Sequence, residues 1–393
     1  MKLQAIARNS LAGLTTSLAM VPEVVAFALL AHVNPLVGLY AAVILGLVTA
    51  VFGGRPGLIS GGAGSLAVVS VALVVTHGVE YLFACIILMG IMQFVFGVFK
   101  LGKLIKLVSP SVMTGFVNGL ALVIFLAQFH QLKVQDAWLQ GQALITMIGL
   151  IAVTVFGVYI APKITKHIPA SLFGIVLVTV VVLLFGLDTR TVGDIAHISG
   201  AMPSFHIPSV PFTLETLWII LPYSLILAAV GLIETLLTAN LVDEFVHKDK
   251  PDHKTHPNKE SMAQGAGNVL TGLFGGMGGC AMIGQTVINL EAGGFHRLAG
   301  VVQALCVLAY IVFASAVIEA IPVAALVGVM VVVCYHTFDW TSFNIAGKAK
   351  EEVAIMVIVT VATVALNLAY AVLLGIIITS MVYYWKSIEQ TSH

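Results

Sequence analysis

Charge is what this chain has least of. Of its 393 residues only 9% are Asp, Glu, Lys or Arg, divided 18 against 18, while 59% are hydrophobic. Soluble domains carry about 25% charged residues, so this chain cannot cover a water-facing surface. Zero formal net charge provides no basic field, and nucleic acid is not expected as a partner. The four cysteines, Cys85, Cys280, Cys306 and Cys334, lie in apolar segments with no paired spacing. They read as small buried hydrophobes rather than disulfides or metal ligands. No Walker loop, redox motif or nucleophile–base pair at helical spacing is present, so no enzyme is expected. The alternating ten-residue segments of a membrane barrel are missing. No small-residue cleavage site follows MKLQAIARNS, which makes the first apolar run a retained span.

What the chain does have is apolar runs near 20 residues from end to end, the pattern of an all-α polytopic membrane protein. Fourteen crossing segments are expected. Seven fall at about 11–31, 36–52, a short helix ending near 77, 81–99, 109–130, 141–160 and 169–187. The other seven fall at about 213–240, 261–274, a short tenth helix, 298–317, 321–337, 352–367 and 369–386. With the N-terminus in the cytoplasm, 16 of the 18 Lys and Arg residues lie inside, and only Lys133 and Arg190 lie outside. Both termini are therefore expected in the cytoplasm, with the chain multi-pass in the inner (plasma) membrane. Seven is odd, so residues 213–393 enter the bilayer inverted relative to residues 1–187.

Two glycine-rich stretches interrupt this pattern, GGRPGLISGGAGSLAVV at 53–69 and GLFGGMGGCAMIGQTVINLEAGG at 272–294. They are too glycine-rich for ordinary spans and too apolar for surface loops. Interrupted segments at corresponding places in two halves point to a transporter's substrate site. An extended piece leading into a half-helix leaves the first N–H groups of that helix unpaired at the positive end of its dipole, and this suits an anion. Half-helices 3 and 10 would meet at the midplane, with Ala63, Gly64 and Ser65 facing Met282, Ile283, Gly284 and Gln285, followed by Thr286. The competing reading is close helix packing through glycine.

Ionisable groups within spans are functional candidates. Glu23 follows Pro22 in the first span, and Glu234 lies in the eighth with Thr238 one turn on. No cation lies at equal depth, so each carboxylate needs a proton, a sodium ion or a helix–helix hydrogen bond. Asn118, Gln128 and Asn289 read as helix–helix hydrogen bonds, and Glu319 as reaching water beside Pro322. His247, His253 and His256 read as a solvated cytoplasmic loop rather than a metal cluster. The basic run KLGKLIKLV reads as an interfacial helix.

The stretches GLTTSLAMVPEVVAFALLAHVNPLVGLYAAV, GLIETLLTANLVDE and MAQGAGNVLTGLFGGMGGCAMIGQTVIN together resemble the sulfate permease (SulP) family of anion transporters. The resemblance implies fourteen spans in two inverted repeats of seven. It also implies a core domain, 1–107 plus 213–317, moving against a gate domain, 108–187 plus 318–386. Substrate is then expected between the starts of helices 3 and 10 and helix 1, with Phe27 shaping the pocket. Glu23 stands where the family commonly has Gln, and Gln285 where it often has Arg, which together remove two units of positive charge. That change fits a carrier that brings a cation with its anion. Glu234 and Thr238 align with an acid and a threonine of sodium-coupled members. Most members continue into a STAS domain, whereas this chain stops at His393.

The expectation is a secondary active transporter of bicarbonate, sulfate or a dicarboxylate. Coupling by proton or sodium symport would run through Glu23, Glu234 and Thr238, with an elevator-like movement and no cofactor besides the coupling ion. The expected partners are a small anion and the bilayer, and a homodimer is left open. The alternatives are a nucleobase:cation symporter of the same fold, which needs a second acid where Gln285 stands, and an anion exchanger or channel.

Overall fold

A computed structural model describes residues 3–101, 109–134, 137–164, 168–195, 198, 200–246, 254–343, 349–365, 371 and 374–382. The first half supplies α1 (Leu3–Leu30), α2 (Pro35–Phe52), α3 (Gly64–His77), α4 (Val79–Val98), α5 (Pro110–Ala127), α6 (Gly141–Ile164) and α7 (Ala170–Phe185). The second half supplies α8 (Leu214–Val246), α9 (Pro257–Leu273), α10 (Ile283–Glu291), α11 (Arg297–Phe313), α12 (Val323–Thr337), α13 (Lys350–Ala365) and α14 over 374–382. All fourteen expected segments are helical within the described residues. Six of the helices are individually long and apolar enough to cross a bilayer, among them α1, α2 and α8. Of the basic run KLGKLIKLV, only residues 100 and 101 are described; residues 102–108, His247 and His253 lie outside the described residues.

Several boundaries differ from the sequence expectation for physical reasons. The first helix starts at Leu3 rather than near 11, because MKLQAIARNS contains no helix breaker. Pro22 sits inside α1, where its missing N–H weakens the helical ladder beside Glu23. The ninth helix begins at Pro257 rather than near 261, because proline suits the first turn of a helix. That start draws Glu260 out of the charged loop and into the protein, where it is 1% exposed.

The chain forms two compact units. One comprises Met1–Gly102 with Gln128–Met330, and the other Lys103–Ala127 with Val331–His393. In the first unit, α4 and α9 pack through glycine. A Cβ on Gly90 would stand 2.6 Å from the Gly265 carbonyl, and one on Gly272 2.8 Å from that of Phe83. Small residues of this kind allow close backbone approach where no hydrophobic drive separates helix from lipid. In the second unit, α13 lies on α5 in the same way: Gly115 faces the Met356 carbonyl, and Thr360 donates to the Gly115 carbonyl (3.1 Å). Asn118 joins this unit's elements by donating to Ser342 Oγ (3.0 Å) and accepting from the Asp339 N–H (2.7 Å). Asn289 bonds loop carbonyls rather than a helix, namely Gly57 (2.9 Å) and Gly294 (2.7 Å).

Four two-residue strands are present among the described residues. β2 (Lys133–Val134) and β3 (Ala137–Trp138) form a small hairpin. β1 (Ser60–Gly61) pairs antiparallel with β4 (Cys280–Ala281), Ser60 opposite Ala281 and Gly61 opposite Cys280. Described residues between the halves are tied down within the first unit. Glu319 accepts from the Ile198 N–H (2.5 Å), so it is a tether and not only a water-facing group. Further along, Glu80 accepts from the Ser209 N–H (2.7 Å) and pairs with His206 (2.8 Å).

Candidate functional site

The site grows from the β1–β4 pair. Each strand is the extended tail of a glycine-rich stretch, and each runs within two or three residues into a half-helix, α3 after Ala63 and α10 after Met282. The pairing continues beyond the strands, since the Met282 N–H donates to the Ile59 carbonyl (2.9 Å) and the Ile59 N–H to Thr286 Oγ1 (3.1 Å). The backbone of these glycine-rich stretches is thus satisfied away from water, as membrane depth requires. Glycine is needed where the two chains touch. A Cβ on Gly279 would stand 2.6 Å from the Gly61 carbonyl carbon, and its oxygen would be closer still.

A polar ladder on α9 holds the pair from behind. Gln264 donates to Ser60 Oγ (2.8 Å). Asn268 brackets Gly279, donating to its carbonyl (3.0 Å) and accepting its N–H (2.9 Å), while also donating to Gln93 Oε1 (2.9 Å). Buried amides of this kind fix a geometry because leaving any of them unpaired costs about 1–3 kcal/mol. Below the ladder, Glu260 accepts from the N–H groups of Gly54 (2.6 Å) and Arg55 (3.2 Å), anchoring the turn that precedes β1. Arg55 in turn pairs with Asp243 at 2.9 Å.

Neither half-helix has a side-chain cap. Ala63 precedes α3 and Met282 precedes α10, both with extended backbone and no capping hydrogen bond. The first intrahelical bonds come from Ala67 to Ala63 and from Thr286 to Met282, so the first-turn N–H groups before them have no partner within their own helices. Two uncapped positive helix ends are therefore held together through one strand pair. The α10 end has room in front of it: Ile283 and Gly284 are exposed, and a Cβ on Gly284 would meet nothing within 4 Å. Ala63 and Ser65 are buried, each 1% exposed.

The two acids of the spans meet these ends. Gln285, in the first turn of α10, donates Nε2–H to Glu23 Oε2 at 2.5 Å. Phe27 lies one turn beyond Glu23 on α1 and is buried. On the other side Ser65, in the first turn of α3, donates Oγ–H to Glu234 Oε2 at 2.5 Å. Cys280, in β4, is a free and buried cysteine, as its apolar setting suggested. Thr238 does share the α8 face with Glu234, but its hydroxyl bonds backbone: the Glu234 carbonyl at 2.7 Å and the Ala281 carbonyl at 3.4 Å. Thr235 accepts the Ala281 N–H (3.1 Å). Thr238 Oγ1 thus lies within hydrogen-bond reach of two backbone carbonyls, those of Glu234 and Ala281, beside the span that carries the Glu234 carboxylate.

Of the expected substrate residues, Gln285 is hydrogen-bonded to Glu23, while Ala63, Gly64 and Ser65 stand at the start of α3 and Met282, Ile283 and Gly284 at that of α10. The sequence reading missed Gln93, Glu260, Gln264, Asn268 and Thr235. Gln264 and Asn268 stand four apart in MAQGAGN, an amide pair on one face of a glycine-rich span, and that spacing was a usable signal. Thr235 carried none, because its partner is backbone 46 residues away.

Broken half-helices with buried acids and an all-helical polytopic frame define a secondary active transporter of anions with alternating access, not an enzyme. The model of the sulfate permease family matches residues 6–360, and the chain belongs to that family. It is 44% identical over 383 residues to the putative sulfate transporter YbaR of Bacillus subtilis, covering 97% of this chain and 77% of that protein. It is 31% identical over 368 residues to the bicarbonate transporter BicA of Synechocystis, covering 88% of this chain and 64% of that protein. In structure it resembles the transmembrane domain of a cyanobacterium bicarbonate transporter BicA, with TM-score 0.82, 29% identity and coverage of 95% and 98% of the two chains. It also shares its fold with SLC26A9, with TM-score 0.79 and 18% identity over 97% of this chain and 66% of that one. The architecture is the elevator type with two inverted repeats of seven helices.

Proposed function

We propose that this protein accumulates a small oxyanion by cation-coupled symport. The anion sits against the first-turn N–H groups of α3 and α10. A proton or a sodium ion removes the charge of Glu234, with Thr238 and the Ala281 carbonyl completing the cation's oxygen shell. The observation that carries this reading is the Ser65–Glu234 hydrogen bond. It joins one uncapped helix end directly to a carboxylate that has no lysine or arginine partner among the described residues. An anion and an ionised Glu234 repel each other, so each is favoured when a cation accompanies it. Reciprocity then requires that cation and anion raise each other's affinity.

In this reading the core, 1–107 plus 213–317, carries the site past the gate, 108–187 plus 318–386. The N- and C-termini face the cytoplasm of the inner (plasma) membrane, an orientation supported by the distribution of Lys and Arg. The named relatives support sulfate or bicarbonate as the anion. The test is uptake of labelled bicarbonate, sulfate and fumarate into proteoliposomes, under an imposed proton gradient and then a sodium gradient. Accumulation above equilibrium under one gradient identifies anion and coupling ion together. Exchange or current without accumulation under either would exclude symport.

A further inference from the structure

The two acids do not stand in equivalent surroundings. Glu234 has neighbours that can complete a cation site. Glu23 has one neighbour of a different kind, the Gln285 amide, which occupies only Oε2. The other oxygen, Oε1, receives no hydrogen bond from any described residue. Glu23 is 8% exposed, so the carboxylate is nearly enclosed yet not sealed. Gln285 belongs to the same first turn of α10 as Gly284, in front of which the space is open.

An anion at the half-helix ends therefore meets two kinds of group. The first-turn N–H groups are donors only and suit its oxygens. Glu23, when ionised, is an acceptor only, and no lysine, arginine or histidine is present among the site residues to offset it. Any anion meets the like charge of ionised Glu23, and one without hydrogen turns an oxygen lone pair toward Oε1 and makes no hydrogen bond there to offset that repulsion. An anion that keeps one acidic hydrogen can donate it to Oε1 while its other oxygens take the backbone donors. A short hydrogen bond between charged partners is among the stronger ones available to a protein. Sites built to pair with a substrate hydroxyl reject the analogue lacking it far better than apolar pockets reject a missing methylene.

We infer that Glu23, held in place by Gln285, is the specificity-determining acceptor that selects anions carrying their own acidic hydrogen over hydrogen-free anions. The class comprises bicarbonate, hydrogen-bearing phosphates and half-protonated dicarboxylates; sulfate and nitrate fall outside it. The inference rests on the anion position proposed above and names the substrate class of that same site. Gln285 is a positioning residue, because its nitrogen fixes which carboxylate oxygen remains open.

Bicarbonate and nitrate make the test, since both are planar monoanions of similar size and only bicarbonate has a hydrogen to donate. Binding of each is measured to the purified full chain at pH 8 in sealed cells, at fixed sodium and without a gradient. Native protein is expected to bind bicarbonate at least about tenfold more tightly than nitrate. Glu23→Gln, whose amide can either donate or accept, is expected to bring the two within about threefold. Gln285→Leu is expected to narrow the ratio in a folded protein whose melting temperature is lowered, because Glu23 Oε2 loses its donor. Nitrate binding as tightly as bicarbonate in the native protein would overturn the inference without any variant, as would a ratio unchanged by Glu23→Gln in a folded protein. If Gly284→Leu leaves bicarbonate binding intact, the anion position itself is wrong, and that result is distinct from a failure of selectivity.

Discussion

At the scale of single residues, one hydroxyl joins the start of α3 to a buried carboxylate. Ser65 has its backbone in the first turn of α3 and its side chain on Glu234. Ser65→Ala keeps the helix end and removes the link, taking from the Glu234 carboxylate the hydroxyl donor described above. Losing a hydrogen bond to a charged group costs about 1.5–3 kcal/mol. The expected outcome is a lower melting temperature together with a weaker dependence of anion affinity on the coupling cation, read by anion titration at several cation concentrations. Glu234→Gln is the harsher test. It is expected to abolish gradient-driven accumulation while leaving anion exchange, and unchanged accumulation would remove Glu234 from the mechanism. Both acids were legible in the sequence because a charge within an apolar span stands out against its setting. The hydroxyl's role was not legible. Ser65 attracts notice only as part of SGGAGS, and its partner is 169 residues away. Glu260 was hidden differently, by its place at the edge of the most charged loop, although the structure buries it.

At the scale of elements, the broken segments are the part of the fold that the sequence displayed most clearly. Glycine pairs in an apolar stretch announce interrupted helices, and the half-helix starts fall at Gly64 and Ile283. The strand pair joining them was invisible, because two residues are too few for any periodicity and the partners lie some 220 positions apart. The glycines of these stretches differ in what surrounds them. Gly279 is a contact glycine, since any Cβ there enters the Gly61 carbonyl. Gly279→Ala is expected to separate β1 from β4 and destabilise the protein by about 1–3 kcal/mol, the usual range for overpacking, and a melting curve would measure it. Gly284 is an open-space glycine with no neighbour to strike. Gly284→Leu is expected to leave the melting temperature close to native and to weaken anion binding at least about tenfold, because the side chain fills the space the anion would take. Normal affinity in that variant would place the anion elsewhere.

At the scale of the whole molecule, inverted repeats give each half-helix the opposite approach to the midplane. A site built from both starts then has no intrinsic preference for one face of the membrane. A carrier must open it to one side at a time, whereas a channel leaves it open to both. Gly284 can report the difference, since it is exposed and a side chain there meets open space. The native cysteines interfere little, because Cys85, Cys280 and Cys334 are buried and only Cys306 is half-exposed. In a Cys306→Ala background, Gly284→Cys should react with a membrane-impermeant thiol reagent from one side of oriented proteoliposomes under a given gradient. Reversing the gradient should move that reactivity to the other side, since a gradient shifts the population between two states only through their different affinities for its ion. Bound anion should slow the reaction from either side by covering the α10 end. Equal and simultaneous reactivity from both sides would mean a continuous pathway. In that case Glu23 and Glu234 would tune a conduction route rather than couple two fluxes.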